Sequence, residues 1–206
     1  QPHVRIVLPS QAMLTGLLLQ PVGMPLSEAE WRPKMERYVR GAQWQRASSL
    51  LSTVREAGGE LSPGAYQAAI TACARAEPPQ WRAALRVLED SRKYDAVNEK
   101  VWSAAIHACR TEWRSALSLL QRMHDEEGMP LNLYAATATV RALGDAGEWE
   151  RAREVFRELV GSAAPSDAAA SGVLDGEFLQ ATMMACARAG RVRETLDILR
   201  EDAPAG

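Results

Sequence analysis

A two-helix hairpin cannot bury its apolar faces alone, so a chain that repeats one must stack the copies against each other. The stretch Leu133–Val160 is such a hairpin, and other parts of the chain repeat it. Asn132 is a suitable N-cap, and Tyr134, Thr137, Ala138 and Arg141 follow at three- and four-residue spacing, which predicts a first helix to about Leu143. Ala146-Gly147 ends it, the glycine being free to take the left-handed conformation that closes a helix. Trp149, Ala152, Val155, Phe156 and Leu159 then trace one apolar stripe along a second helix. These are helix A and helix B of the unit.

On the helix B side, Trp44, Trp81, Trp113 and Trp149 are each followed three residues later by Ala47, Ala84, Ala116 and Ala152. Two hydrophobes come next in each copy: Leu50-Leu51, Val87-Leu88, Leu119-Leu120 and Val155-Phe156. A weaker fifth copy reads Val192, Thr195, Ile198-Leu199, and the five markers are spaced 37, 32, 36 and 43 residues apart. On the helix A side, Tyr66, Trp102, Tyr134 and Leu179 fall in one column, with Cys73, Cys109, Arg141 and Cys186 seven residues on. Ala72-Cys73-Ala74-Arg75 and Ala185-Cys186-Ala187-Arg188 are identical strings.

For a stack of this kind, an apolar fraction of 47% suffices for a continuous core. A net charge of −2 gives no bulk drive towards nucleic acid or an anionic membrane. The three cysteines share one place on helix A, where stacked hairpins set equivalent positions about 8–10 Å or more apart, too far for a disulfide. They read as small residues buried where helices approach closely. His107 and His124 lie on different helices with no partner at ligand spacing, so no metal site and no cofactor are expected. The longest apolar run, Met13–Leu19, is far short of the roughly 18 residues a membrane span needs. Gln1 in place of Met reads as a processed or trimmed start, with any targeting peptide out of view.

Taken in order, residues 1–26 do not match the repeat. Pro2, Pro9, Pro21 and Pro25 forbid a long helix there, yet Val4, Ile6, Val7, Leu8 and Leu17–Leu19 are too apolar for a solvated tail. Such an arm either covers the first hairpin or lies buried in a partner. The array then occupies 27–206, with repeats at about 27–60, 61–97, 98–131, 132–160 and 175–203. Ser27 and Glu30 make a capping box ahead of a helix A expected over Trp31–Val39, with Pro33 near its start. Ser62-Pro63 and Asn98 open the helices A over Pro63–Arg75 and Glu99–Arg110. Residues 161–174, rich in Ala and Ser with Gly and one Pro, are a low-complexity insertion. Asp175 caps the last helix A, and the last helix B, Arg191–Asp202, carries Arg193, Glu194, Asp197, Arg200 and Glu201 as a polar outer face. No strand is expected anywhere.

These columns resemble the pentatricopeptide repeat (PPR) family over about Trp31–Asp202. That family has 35-residue hairpins with an early aromatic in helix A, a basic residue near its end, Gly in the turn and an Ala-Leu-x-hydrophobic-hydrophobic helix B. Gly128-Met129-Pro130 is similar to the family's closing Gly-x-x-Pro. The implied fold is all-α, a right-handed α-solenoid of about four to five helix-turn-helix (PPR/TPR-like) repeats. The resemblance also implies single-stranded RNA in the groove lined by the A helices, about one base per repeat, in an organelle, the mitochondrion ahead of the plastid. In the family, base choice comes from the residue after the helix A aromatic, paired with one at the repeat's end. Gln67, Ser103, Ala135 and Gln180 take the first of these places here, and Ser103 alone fits the usual Asn, Thr or Ser. Leu131 or Asn132 holds the second place beside it.

From the aromatic column onward the A helices carry Arg75, Arg110, Arg141 and Arg188 and no acid. Either these arginines position phosphates along a positive groove, or they are solvated helix ends favoured by the helix dipole. The tryptophans opening the B helices are expected in the core, as are Tyr66, Trp102 and Tyr134.

The leading functional expectation is therefore a non-catalytic PPR-type protein binding single-stranded or ribosomal RNA within an organellar ribonucleoprotein, with its N-terminal arm docked on a neighbouring protein. Gln67, Ser103 and Gln180 join the four arginines as candidate contacts. The alternative is a protein-binding scaffold subunit without RNA. An enzyme is the weakest reading, because no nucleophile-base pair, phosphate loop or ligand cluster is present at recognisable spacing.

Overall fold

The computed structural model describes residues 27–125, 128–129, 132–162 and 176–202. The proposed arm, most of the low-complexity insertion and Asp175 lie outside the described residues. Within them the chain is helical, and ten helices alternate between two layers. The A layer holds α1 (Glu28–Arg40), α3 (Pro63–Arg75), α5 (Glu99–Ala108), α7 (Leu133–Asp145) and α9 (Gly176–Arg188). The B layer holds α2 (Trp44–Glu56), α4 (Trp81–Lys93), α6 (Trp113–Asp125), α8 (Trp149–Ser162) and α10 (Val192–Asp202).

Local chemistry sets these boundaries. The expected capping box forms, with Ser27 N donating to Glu30 Oε2 at 2.9 Å, so α1 starts at Glu28, earlier than expected, and runs on through Pro33. Asn98 and Asn132 accept from Val101 N and Ala135 N at 3.0 and 2.7 Å. Each tryptophan marker is the first residue of its B helix and packs half-buried against the core. Gly147 ends the central hairpin's turn at φ +79°, as its sequence position implied.

Each A helix packs on its own B helix, α1, α3, α5 and α7 pack on the A helix that follows, and α3, α5, α7 and α9 pack on the B helix before them, which defines a solenoid. The A helices approach closely because small side chains face the seams: Ala69, Ala72 and Cys73 on α3, and Ala105 and Ala108 on α5 with Cys109, the cap that ends α5 short of the expected Arg110, are fully buried. Burial pushes the Cys73 thiol up to about 11 and the Cys109 thiol up to about 12, with Glu112 adding to the second, so both stay protonated at neutral pH.

The α7–α9 seam is close at Gly144 of α7, where an added Cβ would lie 2.9 Å from Ala185 Cβ and 3.2 Å from Ala185 Cα of α9. Gly144→Ala should gain about 1 kcal/mol of helix propensity but lose about 1–3 kcal/mol to overpacking. Because the obstructing atoms belong to a helix backbone and its Cβ, repulsion wins. The urea midpoint is expected to fall, and a midpoint that rises would show that the α7–α9 seam opens freely.

Candidate nucleic-acid interface

The register of the A helices decides which side chains line the groove. In each hairpin, the residue before helix B donates its backbone N–H to a carbonyl of helix A: Gln43 to Tyr38, Gln80 to Cys73, Glu112 to Cys109, Glu148 to Leu143 and Arg191 to Cys186, at 2.8–3.0 Å. The column of the cysteines is therefore completed by Leu143, not by Arg141. Seven residues back along each helix stand Trp31, Tyr66, Trp102, Ala136 and Leu179. Tyr134 lies two residues outside that column and, contrary to expectation, is not core: it is 58% exposed, whereas Tyr66 and Trp102 are 1% and 0% exposed. Ala135 is likewise displaced, fully buried, and Thr137 takes the place after the column.

All seven candidate contacts line one side of the stack, along three adjoining cavities built from A helices. The first, between α3 and α5, is walled by Gln67, Arg75, Lys100, Ser103, Asn132 and Tyr134. The second shares Tyr134 and His107 with it and adds Arg110, Thr137 and Arg141. The third runs from Arg141 past Gln180 to Arg188. None of the tryptophans that open B helices lines these cavities, in keeping with their packing role.

Ser103 is 7% exposed, and its Oγ donates to Glu99 O at 2.9 Å while accepting from Asn132 Nδ2 at 2.7 Å. Asn132, one of the two residues expected for the second place, thus faces Ser103 and caps α7 with its other amide atom. Thr137 donates to Leu133 O at 2.7 Å, which leaves its hydroxyl oxygen able to accept. Between these sites stands Tyr134, its ring 5.7 Å from the His107 ring and tilted by 31°. Burial, then Arg110 and Arg141, hold the His107 imidazole below its usual range, so it is neutral at pH 7.

A model of the PPR repeat matches residues 135–162, which covers most of α7 and all of α8. The described residues have the fold of a PPR-type helical-repeat solenoid. Among solved structures it resembles the crystal structure of the PPR domain of Arabidopsis thaliana protein-only RNase P 1 in complex with tRNA. The TM-score is 0.64 at 19% identity, over 84% of this chain and 89% of that one. No curated protein matches the sequence.

The four arginines of this PPR-type groove are not equivalent. Arg75 is exposed and has no ion-pair partner among the described residues, and the same holds for Lys100 opposite it. Arg110 is half-buried and donates to Ala74 O at 2.5 Å, tying α5 to α3. Arg141 pairs with Glu177, and Arg188 with Asp145. The expectation of an acid-free face therefore fails at its C-terminal end. Asp145 lies within α7, beyond the end expected at Leu143, and Glu177 opens α9, just ahead of its column residue. Glu99 also lines the first cavity, beside Arg75 and Lys100, so the groove keeps a net positive charge around α3 and α5 and is close to neutral between α7 and α9.

Tyr134, Thr137, His107 and Lys100 also line the groove, although the periodicity that placed Tyr134 and Thr137 on helix A did not assign them to it. The signal that finds Thr137 is the cap: Ser27, Ser62, Asn98 and Asn132 each precede the column residue Tyr38, Cys73, Cys109 or Leu143 by eleven positions.

Proposed function

We propose that this protein binds single-stranded RNA along the A-helix groove and acts by binding, as a component of an organellar ribonucleoprotein. The observation that carries the reading is Tyr134, an exposed aromatic set in a groove beside the hydrogen-bonded Ser103–Asn132 pair and flanked by Arg75, Lys100 and Arg110. A base stacked on that ring would present its edge to Ser103 and Asn132, while the cations take phosphates. The tRNA held by the structurally similar PPR domain supports the same class of ligand.

Binding of mixed-sequence single-stranded RNA at two salt concentrations tests this. Affinity should fall with salt. The Arg75→Ala/Lys100→Ala variant should bind more weakly, with a salt slope shallower by about 1.4, from roughly 0.7 per lost phosphate contact on single strands. Binding that is absent at low salt would overturn the reading. It would favour the protein scaffold, for which the near-neutral α7–α9 segment and its 46%-exposed Met184 are the better surface.

A further inference from the structure

Two rows of cations run along the array. Arg75 and Arg110 wall the groove cavities, whereas Arg114 walls a separate cavity between α4 and α6 in the B layer. Arg114 belongs to a set, because the first turn of each of the first three B helices carries one exposed arginine: Arg46, Arg82 and Arg114. None of the three has an ion-pair partner among the described residues, and no acid shares their first turns.

Helix stability does not explain that placement. A cation in the first turn faces the positive end of the helix dipole and is disfavoured there, where Asp or Glu would be the stabilising choice. The indoles explain part of it. The guanidinium carbon of Arg82 lies 4.5 Å from the centre of the Trp81 ring, and that of Arg114 lies 4.6 Å from the Trp113 ring. Stacking engages only the face of a guanidinium, so its in-plane N–H donors stay available to an oxyanion while the ring holds them in one orientation.

The fourth repeat breaks the row. Glu148 pairs with Arg151 at 2.5 Å, and Glu150 shares the first turn of α8. The groove loses its net charge over the same stretch, where Arg141 and Arg188 meet acids. Both rows are thus cationic around the second and third hairpins and neutralised in the fourth. The outer row lies along the side of the array, where a layer added at either end would not cover it. Residues 1–26 hold no Asp or Glu, so they bring it no counter-charge.

We infer that the row of Arg46, Arg82 and Arg114 binds the phosphates of a second RNA strand, so that the preferred ligand joins a single-stranded segment to a double-helical stem. A strand lying in the groove is held by the inner row. Phosphates that reach the outer row at the same time come from another strand of the same folded RNA, as they do where a single strand runs into a stem. The inference rests on the groove reading above.

Binding of the full chain to two RNAs of equal length tests it: an unstructured pyrimidine strand, and a hairpin with a single-stranded flank. The hairpin should bind about tenfold more tightly or better. Arg46→Gln/Arg82→Gln/Arg114→Gln should abolish that advantage and leave affinity for the unstructured strand within about twofold. Its salt slope on the hairpin should be shallower by up to about 2.7, from roughly 0.9 per phosphate contact on a duplex. A hairpin bound no more tightly than the strand, or a triple variant weakened equally on both, overturns the inference and leaves the groove reading standing. No binding of either RNA overturns both. Poly-glutamate that binds as tightly as the hairpin, and is lost in the triple variant, marks the row as a site for an acidic protein and also overturns the inference. Should the triple variant lose helicity by circular dichroism, Arg82→Gln and Arg114→Gln carry the test singly, each costing the hairpin alone about threefold.

Discussion

Trp102→Ala is expected to lower the unfolding free energy by roughly 3–5 kcal/mol, the range for removing a fully buried large aromatic. Trp102 is 0% exposed in α5, the middle A helix, where the guanidinium carbons of Arg92 and Arg122 lie 5.7 and 5.6 Å from the ring centre. Glu89 joins those two arginines at 3.3 and 3.1 Å, so the indole supports a charged cluster on the B-helix side. Its Nε1–H has no hydrogen-bond partner among the described residues. An orphaned buried donor costs about 1–3 kcal/mol, so Trp102→Phe removes that penalty together with some packing. The phenylalanine variant should therefore lose much less than half of what the alanine variant loses. Urea unfolding followed by circular dichroism measures both. In a stack held by nearest-neighbour interfaces, damage to the middle layer should also split the alanine variant's transition into two. Equal losses for Ala and Phe would mean that the indole nitrogen has a partner.

Tyr134→Ala should weaken single-stranded RNA binding by about 1–3 kcal/mol, the range for one base–aromatic stack, or roughly 5- to 150-fold. Tyr134→Phe should retain most of the affinity, since the face of the ring makes the stack. At 58% exposure the side chain contributes little to the core, so the alanine variant should keep its unfolding midpoint. The companion change runs the other way. Asp145→Asn with Glu177→Gln releases Arg188 and Arg141 from their ion pairs and removes two negative charges from the groove. RNA binding should tighten and its salt slope steepen by up to about 1.4, as two cations become available to phosphates. Tightening without a steeper slope would mean that relief of repulsion, not new phosphate contacts, is responsible. Weaker binding in the double variant would mean that the ion pairs hold the α7–α9 wall in its binding shape.

Most of the helical boundaries were legible because their causes are local. A cap residue, a proline at the first helical position, a glycine in a left-handed turn and a tryptophan opening each B helix act within a few residues of themselves. The groove's membership was legible for the same reason: Gln67, Arg75, Ser103, Arg141, Gln180 and Arg188 lie on A helices, Arg110 lies in the turn just after α5, two residues past its last helical residue, and all seven line one side of the stack. The fourth repeat misled because it lacks an aromatic at the column. Ala136 stands there, and Tyr134 two residues earlier imitates one. A two-residue slip rotates a helix position by about 200°, which exchanges core for groove.

By itself, then, the sequence determined the repeat, the two-layer stack and the side on which polar and cationic residues collect, since each follows from periodicity and short-range hydrogen bonds. The tertiary structure alone decided which charges survive in that groove. Arg141 meets Glu177 across 36 residues and Arg188 meets Asp145 across 43, distances in the chain over which only helix packing brings opposite charges together. It also decided that Ser103 faces Asn132, 29 residues away, because that depends on how the neighbouring layer packs.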